Sequence, residues 1–427
     1  MTTIICIIIF ILLTSWLYRF LRKDNVEVHY PRERLPIIRC NAYEAIVIAM
    51  FATAWIGLSP VLSLRLATLE LLCFIVLFKC RNKLPFSLPL AMYLIFLIWI
   101  VIGIFYSPSF HFGVRMLLKY LYPFVFALMT AKVVRDYNVF MLSGQWSRYI
   151  GTLGITIVLI PFTGKIIGGV FWYVAAFITG LITIIMFSLA LSYVSNNKKK
   201  NIIWTIALSA PCLIATFRTD IFGTAIAFAM FYLIKYRLKA LPIIASIGIL
   251  GLCIMFYVPD VRNKMFINPD KVSMSDYLKG NIDENNVQTN MRKFMWESAN
   301  EMFYDGHELI GSGTGRVQKF FYTEATDARR GGQLHNDFLV LRCDNGNIGL
   351  ALFIFAYILI FLHCLKIYYG YDDPYLKMCA IVAGSSLIGI FVTMFSDNTL
   401  SYSMVTLSSP WGLYGMALGM KYKIDNE

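Results

Sequence analysis

The sequence predicts an all-α fold, a polytopic bundle of about 12–13 membrane-spanning helices that carries one large external loop. Three observations support that expectation. The 427 residues are 58% hydrophobic and 15% charged, with a mean hydropathy of +0.64, which excludes an ordinary soluble surface. Apolar runs close to the length needed to cross a bilayer recur along most of the chain. Lys and Arg stand at every second junction between these runs, as the positive-inside rule requires.

In order, the runs are 3–18, 43–58, 64–79, 87–106, 114–131, 149–163, 168–194, 201–217, 220–234, 240–257, 347–365, 376–395 and 405–420. The first lacks a small-residue cleavage site and is followed, not preceded, by Arg19, Arg22 and Lys23. It therefore reads as a spanning helix with its N-terminus outside and not as a signal peptide. The junctions holding Arg32, Arg34 and Arg39, Lys79 to Lys83, Lys132 and Arg135, Lys198 to Lys200, Lys235 to Lys239, Lys366, and Lys421 with Lys423 all fall on one side. The alternate junctions, including 396–404, are short, poor in charge and face outside. Three segments follow: N-terminal membrane helices over 1–257, a large external loop over 258–346, and C-terminal membrane helices over 347–427.

The loop holds about half of the 25 acidic residues and is rich in Asp, Asn and Gly, the composition of a solvated lid or small subdomain. Within it Met291, Phe294, Met295, Met302 and Phe303 recur at helical spacing, so 290–304 reads as an amphipathic helix lying on the membrane domain or on the loop's own core. The formal charge of +13 does not indicate nucleic acid, because the cations stand between apolar runs and not along one polar face. The nine Cys include no C-x-x-C pair and no Cys/His spacing suited to zinc, so cysteine chemistry is not expected.

Cations on the outer side violate the orientation rule and ask for a reason. Arg218 sits between two apolar runs with almost no loop to expose it, so a guanidinium at membrane depth needs an anion, either a ligand or Asp220. Arg115 and Lys119, at i and i+4 on one helix face, can hold a phosphate or snorkel to lipid headgroups. Lys165, between glycines at an outer turn, offers the same choice. Gly311-Ser312-Gly313-Thr314-Gly315-Arg316 supplies close backbone N–H groups and a cation, suited to cradling phosphate or to a plain turn. Arg329 and Arg330 precede Gln333-Leu334-His335-Asn336-Asp337, where a His beside an Asn can act as base or donor near an anionic leaving group.

The order of these features resembles the superfamily of O-antigen polymerases and O-antigen ligases, bacterial membrane glycosyltransferases. The residues that carry the resemblance are Arg218, an early loop arginine (Arg292), the Gly-x-Gly-x-Gly, His335-Asn336-Asp337-Phe338-Leu339, and Gly346 with Gly349. Phe217 departs from the small residue expected before the arginine. The resemblance implies transfer of a glycan from undecaprenyl pyrophosphate to an acceptor sugar on the outer face of the cytoplasmic membrane, without nucleotide sugar or metal. It implies catalytic roles for His335, Arg218 and Arg292, with Asn336, Arg316, Arg329, Arg330, Arg115 and Lys119 binding substrate. Implied partners are the lipid-linked oligosaccharide, membrane lipid and a chain-length regulator protein. A polymerase of surface polysaccharide is favoured over a ligase that serves a lipid A-core acceptor. From another class, a flippase or transporter would not need the long loop, and its cations should line a cavity at the midplane. A scaffold would not need arginine at membrane depth.

Overall fold

The computed structural model describes residues 15–17, 19–30, 38–54, 62–159, 174–214, 217–281, 286, 288, 292–324 and 333–427. Most of the first apolar run, together with Arg32, Arg34, Lys165, Met291, Arg329 and Arg330, lies outside the described residues. A short antiparallel hairpin, β1 (Val26–Val28) and β2 (Ile38–Cys40), precedes a helical chain. The longer helices are α1 (Ala42–Thr53), α2 (Leu62–Lys79), α3 (Leu88–Phe105), α4 (Phe110–Val133), α5 (Tyr137–Leu159), α6 (Val174–Val194), α7 (Lys198–Ile214), α8 (Arg218–Tyr236) and α9 (Leu241–Tyr257). They continue with α10 (Arg292–Ala299), α11 (Asp337–Gly370), α12 (Pro374–Thr393) and α13 (Ser408–Asn426).

Local chemistry sets several of the boundaries. Asn41 caps α1 through the N–H of Glu44, whose side chain returns to the N–H of Asn41. Asp373 caps α12 with Pro374 in its first turn.

The protein is a multi-pass membrane protein. Among the described residues, six stretches are long and apolar enough to cross a membrane: Leu88–Phe105, Phe110–Val133, Ala176–Val194, Arg218–Tyr257, Asp337–Gly370 and Pro374–Thr393. The other expected spans fall on helices that are shorter, more polar or only partly described.

The bundle has two chemically distinct ends. At one, Lys132 donates to the Leu77 carbonyl and Arg135 to that of Lys83. Arg135 also lies over Tyr422, Lys235 over Tyr193, and Arg237 over Tyr369. The starts of α8 and α11 and the end of α12 meet at the opposite end. Between these ends α8 packs closely on α12: a Cβ added to Gly223 would stand 3.0 Å from the Gly389 carbonyl, a small-residue approach typical of membrane helices. The aromatic core centres on Tyr93, whose ring lies 4.5 Å from Trp411.

Of the expected helix over 290–304, the described residues 292–304 are helical, α10 continuing through a π turn at Asn300–Tyr304. Of the four described residues of its apolar set, two turn inward. Met295, Ala299 and Phe303 join Val317, Leu334, Leu339 and Cys343 in a small cluster shared with the first turns of α11. Phe294 and Met302 remain exposed.

Candidate active site

Arg218 is the first residue of α8, where a positive charge opposes the helix dipole. It does not pair with Asp220. That carboxyl is 1% exposed and accepts the Thr179 hydroxyl at 2.6 Å. The Nη1 group of Arg218 instead donates to the carbonyls of Lys264 (2.5 Å) and Gln288 (3.3 Å). Arg292, opening α10, donates from Nη1 to the Ser396 carbonyl at 2.7 Å. Burial pushes its guanidinium pKa down, and the Asp397 carboxylate draws it back up. Among the described residues only Nη1 of each arginine has a protein acceptor, so the remaining N–H groups are available to a ligand.

Both arginines line one cavity of about 410 Å³, with Lys293, Phe222, Met265, Trp296 and Val392. Its wall is cationic at one part and apolar over most of the rest.

His335 lies one step away along the chain that follows α12. Its Nδ1 stands 3.3 Å from Asp397 Oδ1 and 3.0 Å from Asn398 Nδ2, and its backbone N–H donates to Asn398 Oδ1 at 3.1 Å. Asp397 also accepts the Asn398 N–H at 2.8 Å. The ring is therefore held at Nδ1, with 37% of the side chain exposed against 20% for Asp397. His335 has φ +48°, a left-handed conformation unusual for a residue with a side chain. Strain of this kind persists where the surroundings fix it, and here the clamp is Asp397 and Asn398.

The start of α11 is tied to the same chain segment. Asp337 N–H donates to the Met394 carbonyl, and its carboxylate accepts the Leu400 N–H, both at 2.8 Å. Asn336 is the N-cap of α11: its Oδ1 accepts the Leu339 N–H at 3.0 Å, so this oxygen serves the helix end.

The glycine-rich turn has a different task from the cradle that its composition suggests. At Gly346, α11 breaks with φ 68° and ψ −175°. The break frees N–H groups beyond it and carbonyls before it. The N–H groups of Asn347 and Ile348 go to the carbonyls of Glu308 and Leu309, while the carbonyls of Cys343 and Asp344 accept from Ser312 and Gly313. Asp344 takes the N–H of Gly315 at 2.8 Å and of Val317 at 2.9 Å, and the Thr314 N–H goes to the Gly103 carbonyl at 3.1 Å. The amides that resemble a phosphate cradle are thus taken by the broken helix and by α3. Arg316 pairs with Glu324 at 3.1 Å and lies over the Phe303 ring at 5.2 Å. Lys319, with Arg316, holds the Glu324 carboxyl below the usual range.

Arg115 and Lys119 stand apart from the first cavity. They line a second, smaller one with Tyr322, Gln333 and Ser401 to Met404.

The structure thus joins Arg218, Arg292 and His335 through the segment Ser396-Asp397-Asn398. It leaves Arg316 in an ion pair and Asn336 at a helix cap. Asp397 and Asn398 were missed by the sequence reading, which registered 396–404 only as a short outer junction. The available signal was that Asp397 is the sole acid in it. Among the described residues no group of His, Cys, Asp and Glu is placed to hold a metal ion.

Residues 203–354 match the family model described as O-antigen ligase. The match takes in Arg218, Arg292, the glycine-rich turn and His335, while Asp397 lies beyond it. It supports the O-antigen polymerase and ligase superfamily and points to a glycan-transferring enzyme in glycan assembly. A search of curated proteins gives no match.

Proposed function

We propose that this protein polymerises lipid-linked oligosaccharide repeat units on the outer face of the bacterial cytoplasmic membrane, moving glycan from undecaprenyl pyrophosphate to an acceptor sugar. One observation carries the reading: a cavity of about 410 Å³ holds two arginines with N–H groups to offer, beside a histidine oriented by a carboxylate. A lipid pyrophosphate needs cations for its head and apolar wall for its first isoprene units, and this cavity offers both.

The reaction is a displacement at the anomeric carbon. The acceptor hydroxyl oxygen forms the new bond while the bond to the pyrophosphate oxygen breaks, its electron pair leaving with the pyrophosphate. Arg218 and Arg292 donate to that growing charge, the electrostatic contribution that is usually largest in such catalysis. Nδ1 of His335 can hydrogen-bond only one of its two neighbours; with its proton directed to the Asp397 carboxylate and Asn398 Nδ2 left in simple contact, Nε2 accepts the proton of the attacking hydroxyl. The proton then rests on the imidazolium, whose charge Asp397 offsets. No metal enters these steps.

Inactivating the gene and resolving the surface polysaccharide on a gel tests the assignment. A polymerase predicts loss of the ladder with single repeat units retained. Loss of every glycan-capped core would make the protein a ligase, and an unchanged glycan would exclude both.

A further inference from the structure

The second cavity has no role in the displacement just described, yet it is built for a charge. Lys119 is 7% exposed, and its ammonium has no hydrogen-bond partner among the described residues. Arg115, one turn away on α4, stacks over the Tyr322 ring at 5.2 Å, and its Nε is buried with no partner. A buried, unsatisfied cationic donor is costly and calls for an anion. Among the described residues no acid lines this cavity, whose charged side chains are Arg115 and Lys119; the nearby Asp337 carboxylate accepts the Leu400 N–H.

Some of the other polar groups of the wall are occupied. Gln333 Nε2 donates to the Tyr322 hydroxyl at 3.2 Å, and the Ser403 hydroxyl donates to the Lys119 carbonyl at 2.6 Å. The space is about 40 Å³. At roughly 10–15 Å³ per water this admits about three water-sized oxygens, the size of a carboxylate or phosphate and not of a whole sugar.

Its position gives it a partner. Ser396 lines the arginine cavity, Asp397 and Asn398 clamp His335, and Ser401 to Met404 line the second cavity. Gln333 reaches the same place from two residues before His335. One continuous segment therefore links the leaving-group cavity, the histidine and the small cationic cavity.

We propose that Arg115 and Lys119 bind an anionic substituent, a uronate carboxylate or a sugar phosphate, on the acceptor glycan, and so select acidic repeat units. The role of the site rests on the transferase reading, but anion binding by it does not.

The test uses the full-length protein in phosphate-free detergent, titrated with sodium glucuronate, inorganic phosphate and, as the neutral control, glucose. Glucuronate and phosphate should bind and glucose should not. Lys119→Met and Arg115→Gln should each weaken glucuronate on the order of tenfold, the loss expected for one charge-assisted hydrogen bond, and Arg39→Gln, exposed and outside both cavities, should leave it unchanged. Two variants guard against a misfolded one, with size-exclusion profile and melting temperature as the control. The proposal is overturned by wild-type protein that does not bind glucuronate at about 100 mM, which would saturate even a site with a Kd of roughly 1 mM, by folded Lys119→Met and Arg115→Gln that bind as wild type, or by loss in Arg292→Gln alone. Native mass spectrometry showing an anionic phospholipid retained through Lys119 would overturn it too, in favour of a headgroup site. Transferase activity without glucuronate binding would sink this proposal and leave the polymerase reading standing; the reverse result would sink that reading alone.

Discussion

Replacing His335 by glycine separates a chemical role from a structural one. The residue sits at φ +48°, where an L side chain costs about 1–2 kcal/mol and glycine costs almost nothing. Against that gain stand the lost contacts of Nδ1 with Asp397 and Asn398. A hydrogen bond contributes about 0.5–1.5 kcal/mol net, and less here because 37% of the side chain is exposed. The backbone N–H to Asn398 survives, since glycine keeps it. The two effects cancel to within about 1 kcal/mol, so the melting temperature in detergent should move by no more than ~2–4 °C. If Nε2 takes the acceptor proton, polymer formed per unit of membrane-inserted protein should fall 10²- to 10⁴-fold, a range typical of a general base. The assay measures both quantities for His335→Gly and His335→Asn, with exposed His111→Ala as control. Near-normal specific activity in His335→Gly would refute the proton-transfer role. A loss of folded protein that accounts for the whole loss of polymer would make the residue structural.

Further outcomes follow from the same geometry. Arg218→Lys and Arg292→Lys keep the charge but lose the planar fork, so each should lose at least about tenfold in specific activity at unchanged protein level; rescue by Lys would show that charge alone suffices. Gly346→Ala puts a Cβ against the Leu309 carbonyl at φ 68°, and the amount of folded protein in the membrane should drop sharply, with a wild-type level refuting the splint formed by 308–317. Activity of purified protein on lipid-linked repeat units should persist in excess chelator, and a requirement for Mg²⁺ or Mn²⁺ restored by readdition would overturn the metal-free displacement. Reporters fused after Lys200 and near Asn285 should read opposite sides of the membrane, and a common side would move the arginine cavity to the wrong face.

The sequence by itself determined the membrane class, the helical bundle and the candidates worth testing. Apolar runs and alternating Lys/Arg clusters are responses to the bilayer that need no knowledge of neighbours. An arginine such as Arg218 is conspicuous because burying a guanidinium at membrane depth is costly wherever the chain goes next. Tertiary structure decided which capable groups are free to act. Gly311 to Arg316 carries amides that would suit a phosphate, but a helix broken at Gly346 accepts those of Ser312, Gly313 and Gly315, and α3 accepts that of Thr314. Asn336 had the chemistry to assist His335, yet it lies at a helix start where its oxygen accepts the Leu339 N–H. The partners that orient His335 come from Asp397 and Asn398, more than sixty residues away. Sequence periodicity reports which face of an element is apolar, whereas a hydrogen bond depends on which distant atoms packing brings within 3 Å of each other. That choice is made only when α8, α11 and α12 meet at one end of the bundle.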